Sequence, residues 1–366
     1  MLLKGMEARL EKASSLNKQF YSGKRIFVTG HTGFKGAWLT LILNEIGAIA
    51  RGYALPAEQG CLFENINGAD YIDHISGDVR DVDELTEAII SFKPEIVLHL
   101  AAQVTVQDCF NDPLKTYGTN VMGTVNLYEA VRKCSSIKSV VTITTDKVYE
   151  NKGDGAIYKV GDTLAGADTC STSNICVEFV TDAYRRSYFN TDNRTIGVAT
   201  ARPSNVIAGG DHVQTRLIPS ILNGFADSKP SELRNPDQSR SWQSAIDALN
   251  GYMTIGRKLF EDPKEYSAPW NIGPNRDGIR TVGEIYEKIR YYFNSGESYV
   301  VVDNREVRES MTLGLDIEQS IDKLGWYPEQ SLDKIIFNLT DFFIRQRNNE
   351  NEREICLRQI REFFEI

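Results

Sequence analysis

Arg25-Ile26-Phe27-Val28-Thr29-Gly30-His31-Thr32-Gly33-Phe34-Lys35-Gly36 is the stretch whose reading decides the fold. Arg25 to Val28 reads as a strand, Ala37 to Ile46 as a helix closed by Gly47, and Ala48 to Tyr53 as the next strand. Glycines between a strand and a helix permit a tight turn and let the backbone approach a pyrophosphate. The helix N-terminus then supplies free N–H groups and a partial positive charge. The spacing is G-x-x-G-x-x-G rather than G-x-G-x-x-G, so the strand before and the helix after carry the inference. A dinucleotide is the expected ligand.

The same alternation runs outward from this loop. Leu85 to Phe92 reads as a helix ending at Lys93-Pro94, and Ile96 to Leu100 as a buried strand. Asn120 to Lys133 reads as a long helix and Val140 to Thr144 as a strand. Ser173 to Tyr188 is helical again and Thr195 to Ala201 extended. Short apolar runs alternating with amphipathic stretches are the mark of βαβ units. The fold class is α/β, a doubly wound parallel sheet (Rossmann-like) with a smaller C-terminal substrate domain. Residues 20–202 form the dinucleotide-binding domain, to which the chain returns around 241–268. Residues 203–240 and 269–345, richer in Pro, Asn, Asp and Gly, form the second domain. Residues 346–366 read as a terminal helix, with Cys356, Ile360, Phe363 and Phe364 at helical spacing. That helix either packs within the chain or meets a second copy.

Composition narrows the function. The 366 residues carry 41 Lys and Arg against 50 Asp and Glu, a net charge of −9, which disfavours nucleic-acid binding. No apolar run approaches the ~18 residues of a membrane helix, and the first twenty residues do not read as a secretory signal. A soluble, cytoplasmic protein is expected. The six cysteines are scattered without a Cys-x-x-Cys pair, so no metal site is expected and the thiols should be reduced. The second strand ends Arg51-Gly52-Tyr53-Ala54-Leu55 without the acid that binds a ribose 2′-hydroxyl. Arg51 would instead suit a 2′-phosphate, so the residues alone leave NAD and NADP both open.

Beyond the glycine loop, Gly77-Asp78-Val79-Arg80-Asp81, His99-Leu100-Ala101-Ala102-Gln103 and Thr119-Asn120-Val121-Met122-Gly123-Thr124 resemble extended short-chain dehydrogenase/reductases. More narrowly, the chain resembles the CDP-glucose 4,6-dehydratases over residues 20–345. The supporting motifs are Gly52 to Pro56, Thr145-Asp146-Lys147-x-Tyr149-Glu150-Asn151, Asn205 to Asp211, Arg216 to Pro219, Arg234-Asn235-Pro236 and Leu324-Gly325-Trp326. The resemblance implies NAD as cofactor and a CDP-linked nucleotide sugar as substrate. Cofactor contacts would fall on Gly30, Thr32, Gly33, Phe34, Gly36, Asp78, Val79, Leu100, Ala101, Ala102 and Asn174. Substrate contacts would fall on Gln103, Asn205, Arg216, Arg234, Arg240 and Gln243, with guanidinium groups on the diphosphate. It also implies Thr145, Asp146 and Lys147 as hydrogen bonder, acid and base partner for loss of water.

The sequence departs from the family where the oxidation chemistry should sit. The family's Tyr-x-x-x-Lys, whose Lys lowers the phenol's pKa, is Cys170-Ser171-Thr172-Ser173-Asn174 here. Asn cannot supply the charge, and loss of a positioned base commonly costs ~10²–10⁴-fold. Gln107 and Cys109 replace an Arg and a Ser, Pro203-Ser204 replaces Ala-Gly, Ser244 replaces a His, and Arg308 to Met311 replaces His-Glu-Ala-His. Three readings stay open. One is an enzyme of altered chemistry in which Cys170 is an acid/base or a filler, such as an epimerase on a 4-keto sugar. Another is a non-catalytic binding homologue, and the last is weak survival of the family activity. A homodimer through Pro113–Lys133 and Ser173–Tyr188 is expected, because both stretches are apolar over more than one stripe.

Overall fold

Four parallel pairings around the glycine loop set the architecture. The computed structural model describes residues 12–153, 155–191, 194–214, 216–302 and 314–366. Helix α1 (Ala13–Tyr21) leads into β1 (Arg25–Thr29), α2 (Phe34–Glu45), β2 (Ile49–Ala54), β3 (Asp73–Ser76), α3 (Val82–Phe92) and β4 (Ile96–His99). Then come α4 (Val106–Asn111), α5 (Pro113–Tyr117), α6 (Gly123–Lys133), β5 (Ser139–Ile143), β6 (Ile157–Tyr158), α7 (Thr169–Tyr184) and β7 (Gly197–Pro203). The large sheet runs β7-β5-β4-β1-β2-β3, with residues Pro269–Ile272 added on the outer edge of β7, entirely parallel. Its strands alternate between two cores. Ile26, Val28, Ile96, Leu98 and Val141 face a layer that includes α2, and Phe27, Val97 and Val140 face α3 and α6. Ala37 to Leu43 of α2 are all buried, as a helix apolar on every side must be.

The chain continues with β8 (Asn205–Ile207), α8 (Leu217–Ala226), β9 (Ser231–Leu233), β10 (Ser239–Ser244), α9 (Ala245–Glu261) and β11 (Pro269–Ile272). After these come β12 (Ile279–Thr281), α10 (Val282–Phe293), β13 (Tyr299–Val301), β14 (Gly314–Leu315), α11 (Leu332–Arg347) and α12 (Glu352–Phe364). Strands β12-β10-β8 form a small sheet, with two-stranded pairs β13-β9 and β14-β6 beside it. Its own core gathers Ile221, Phe225, Trp242, Tyr286 and Ile336. No helix among the described residues is long and apolar enough to cross a membrane.

Several boundaries differ from the sequence reading. Strand β11 pairs with β7 in the large sheet, so residues 269–272 belong to the dinucleotide unit rather than to the second domain. Helix α1 belongs there too: Asn17 Nδ2 donates to Asn250 and Thr254, and the Tyr21 hydroxyl donates to the Met253 carbonyl of α9 at 2.7 Å. Helix α7 starts at Thr169, four residues early, because Asp168 and Ser171 close a capping box. Both long helices contain a π-turn, at Gly118–Met122 and Arg185–Phe189. The terminal helix α12 buries Ile355, Cys356, Ile360, Phe363 and Phe364 within the chain, in the α2 layer.

A buried ion pair anchors α7. Arg202 of β7 donates Nε and Nη2 to Glu178 at 3.0 and 2.9 Å, and the Thr144 and Thr200 hydroxyls fill the carboxylate's remaining positions at 2.7 Å. Breaking one partner of such a pair strands a buried charge, at ~3–5 kcal/mol. Glu178→Gln should therefore lower unfolding free energy in urea by ~3 kcal/mol or more. A change below ~1 kcal/mol would show that the pair is not holding the helix.

Candidate functional site

The glycine loop is built by close backbone approaches. Gly30 has φ +74°, and a Cβ there would lie 2.7 Å from the Ala101 nitrogen. A Cβ on Gly36 would strike the Gly30 carbonyl. A Cβ on Gly33, by contrast, would meet only the Gly30 carbonyl at 3.4 Å, and Gly33 caps α2 with no side chain, which leaves the first N–H groups of the helix open to an anion. Thr32 ties the loop to the Leu55 carbonyl at 3.0 Å, and half-buried Phe34 packs against the core. Leu100 and Ala101 turn across from it, held by Thr29, and Ala102 follows. Asp78, paired with Arg80 at 2.6 Å, and buried Val79 end the neighbouring crossover. This cradle fits a dinucleotide. Arg51, in β2, bonds Asp73 at 2.7 Å and Ser91 at 2.9 Å.

Thr145, Asp146 and Lys147 follow the end of β5, where a doubly wound sheet presents its ligand crevice. Thr145 caps the turn, accepting from the Lys147 amide and donating to Asp146 at 3.1 Å. Asp146 is buried, and that burial raises its pKa despite Lys147, Thr145 and Arg240. A carboxyl biased toward its protonated form is suited to donate a proton. Lys35 comes from the glycine loop into the same space, 3.5 Å from the Tyr252 hydroxyl of α9. Burial and then Arg216 lower its ammonium to about 8, while Asp146 opposes them. The sequence reading treated Lys35 only as a loop residue and missed it. Its signal was a lone cation among the glycines.

Cys170 and Asn174 occupy the first turns of α7. Asn174 spends its amide on the Cys170 carbonyl at 2.9 Å, and Ser173, held by Asn120, donates to the same carbonyl at 2.8 Å. The Cys170 thiol donates to the Val104 carbonyl at 3.8 Å and adjoins Cys109 of α4. The adjoining Cys109 thiol, followed by burial, pushes the Cys170 thiol far up. Lys147 opposes this only weakly, so Cys170 is held protonated.

The substrate candidates are brought together only in part. Arg216 grips Asp211 with both oxygens at 3.0 Å, and Arg240 reaches Gln238 at 2.9 Å while facing Asp146. Trp38 Nε1 bonds the Gly209 carbonyl at 3.0 Å, tying α2 to the loop that carries Asp211. Asn205 bonds the Ser241 carbonyl, and Gln243 is buried against the Ile272 carbonyl at 2.9 Å. Gln243 Oε1 and Ser204 Oγ are buried without a partner in the chain. Gln103 has its backbone bracketed by Asn120 at 2.7 and 3.2 Å. Arg234 lies exposed just past β9. Ser244 caps α9, and Arg308 to Met311 lie outside the described residues. Among the described residues no cluster of three metal-ligating side chains occurs.

The family model described as GDP-mannose 4,6 dehydratase matches residues 27–339. CDP-glucose 4,6-dehydratase of Salmonella typhimurium is 40% identical over 325 residues, covering 88% of this chain and 90% of that protein. UDP-glucose 4-epimerase of Mycolicibacterium smegmatis is 31% identical, covering 87% and 98%. Among solved structures, dTDP-glucose 4,6-dehydratase from Bacillus anthracis in complex with NAD superposes with a TM-score of 0.76 at 20% identity, covering 89% and 98%. That likeness establishes the shared fold.

His99 joins the loop to the core and supplies a test. Its Nδ1 bonds the Thr29 hydroxyl at 2.7 Å and its Nε2 the Thr124 hydroxyl at 3.2 Å. Desolvation lowers its pKa to about 4. A lowered folded pKa means that its contribution is complete above pH ~6.5 and is lost as pH falls from there toward 4. Wild-type protein should lose stability relative to His99→Gln across that interval, by an amount on the order of 3 kcal/mol. Parallel pH profiles for the two proteins in chemical denaturation would contradict this assignment.

Proposed function

The chain belongs to the GDP-mannose 4,6-dehydratase family, and on that premise we propose that it binds NAD and a CDP-linked sugar and moves protons on a sugar already oxidised at C4. The observation that carries this reading is the contrast between two parts of one site. Asp146 keeps a buried carboxyl, its pKa raised by that burial, beside Thr145 and Lys147. Cys170 and Asn174, in place of Tyr and Lys, are tied to local carbonyls.

The Gly30–Gly36 loop and the N-terminus of α2 would hold the pyrophosphate, with Asp78 and Val79 on the adenosine side and Leu100 to Ala102 toward the nicotinamide. NAD, when bound, supplies a hydride acceptor at the sugar's C4. Asn174 is uncharged and its amide is engaged at the Cys170 carbonyl. Removing the C4 hydroxyl proton needs a base whose pKa is near neutral. Cys170 holds its proton and aims it at Val104, so it does not meet that need. A carbon next to an existing ketone is different, because the carbonyl already acidifies its protons. There Asp146, its pKa raised toward neutrality, takes and returns the proton, with Thr145 orienting the carboxyl and Lys147 beside it, while Arg216 and Arg240 hold the diphosphate. NAD is favoured over NADP because Asp73 and Ser91 occupy the Arg51 guanidinium. The protonated Cys170 and the changed Gln107, Ser204 and Ser244 also favour a second reading, a binding homologue without turnover.

Mass spectrometry and proton NMR in heavy water separate these readings. CDP-glucose should lose no water, and its 4-keto-6-deoxy derivative should take up deuterium. Asp146→Asn should slow that uptake ~10²-fold or more. Brisk loss of water from CDP-glucose would overturn the proposal. Tight nucleotide binding without deuterium uptake would select the binding homologue.

The proposed assembly is a homodimer through α5, α6 and α7. Leu114 is 88% exposed, Phe179 62% and Met122 52%, and the terminal helix packs in the layer on the other side of the sheet. Light scattering at micromolar concentration should give twice the mass of one chain. A mass of one chain would refute the dimer.

A further inference from the structure

Two thiols share one corner of the site, where the sequence separates them widely. Cys109 of α4 is fully buried and Cys170 of α7 is 7% exposed. The Cys109 thiol bonds the Gln103 carbonyl at 3.5 Å and the Cys170 thiol bonds the next carbonyl, Val104, at 3.8 Å. The two thiols thus hang from neighbouring carbonyls of one segment, close enough for each to shift the other's titration. The cover over them is thin, since Val104 and Phe110 on the same segment are 55% and 74% exposed.

No other cysteine among the described residues is so placed. Cys61 bonds the Thr32 carbonyl at 3.9 Å, Cys134 bonds Ser136 at 3.2 Å, and Cys356 is sealed in the terminal-helix core with its thiol pushed well up by burial. We propose that Cys109 and Cys170 form a peroxide-oxidisable dithiol that closes to an intramolecular disulfide at the sugar end of the site. Cys109 is the attacking member. The neighbouring Cys170 first, and Thr116 with it, lower the Cys109 thiol to about 7 against the opposing effect of burial, whereas Cys170 stays protonated.

The chemistry balances with hydrogen peroxide as oxidant. The Cys109 sulfur attacks one peroxide oxygen, an S–O bond forms, the O–O bond breaks, and hydroxide leaves and is protonated to water. The Cys170 sulfur then attacks the Cys109 sulfenic sulfur. The S–S bond forms, the S–O bond breaks, and the departing hydroxide takes the Cys170 proton as a second water. Two electrons pass from the two sulfurs to the peroxide. A thiol reductant restores the pair by exchange. Closing the bond removes both thiol protons that now bind the carbonyls of Gln103 and Val104. Those carbonyls follow directly on Leu100 to Ala102, so the oxidation state acts on the loop beside the cofactor cradle.

The inference rests on the thiol pair and not on any turnover, so it is tested by peptide mapping. The full chain, reduced and then treated with stoichiometric hydrogen peroxide, should yield one cross-linked peptide pair joining Cys109 to Cys170. Cys61, Cys134, Cys176 and Cys356 should remain alkylatable, and dithiothreitol should reverse the link. Cys170→Ser should leave a sulfenic acid at Cys109 that dimedone traps, while Cys109→Ser should leave Cys170 unoxidised. Sulfinic acid at Cys109 with Cys170 still alkylatable in wild-type protein would overturn the proposal. So would the absence of any cross-link, or dimedone labelling of Cys170 in Cys109→Ser.

Discussion

The close approach of Gly30 to Ala101 is the constraint on which the rest of the structure depends. It brings the ends of β1 and β4 together with no side chain between them, and only a residue without Cβ at φ +74° can stand there. Thr29 then reaches both His99 and the Ala101 amide, and the loop leaves α2 with its N-terminus open. From α2, Trp38 reaches Gly209 and fixes the loop that presents Asp211 and Arg216. One backbone contact thus positions the glycine loop and, through a single helix, the segment that carries Arg216.

Against that fixed frame, α7 is held by residues other than those at the family's Tyr and Lys positions. Its position is set by Glu178 with Arg202, by the capping box at Asp168, and by Asn120 bonding Ser173. None of these involves the side chains of Cys170 or Asn174. The reacting positions of the helix are therefore free to vary without moving it. What replaces the phenol and ammonium is self-contained, since the Asn174 amide satisfies its own helix and the thiol finds a second thiol. Meanwhile Asp146 stays enclosed near Lys147, Arg240 and Lys35, with the electrostatics of an acid.

Most of the sheet was legible in the sequence because its strands are short apolar runs between strong turn signals. Ile26 to Val28 and Ile96 to Leu98 face a core on both sides, so they read as continuous hydrophobic segments. The start of α7 was not legible by apolar spacing, because its first turn is capped by Asp168 and Ser171 and carries small polar residues. Strand β11 looked like part of a loop-rich region, since Pro269 to Ile272 joins the large sheet only through a long-range crossover. The individual motifs were visible, but not their meetings. Arg51 with Asp73, Lys35 with Tyr252, and Cys109 with Cys170 are tertiary pairings that no local pattern encodes.

The central claim is that this site holds its ligands but lacks a group to draw the proton from a sugar's C4 hydroxyl. The most direct measurement mixes the NAD-loaded protein with excess CDP-glucose in a stopped-flow instrument and follows the near-ultraviolet absorbance of reduced nicotinamide. The account predicts a flat trace with the wild-type chain, and a transient rise with Cys170→Tyr combined with Asn174→Lys. A rapid rise with the wild-type chain would contradict it.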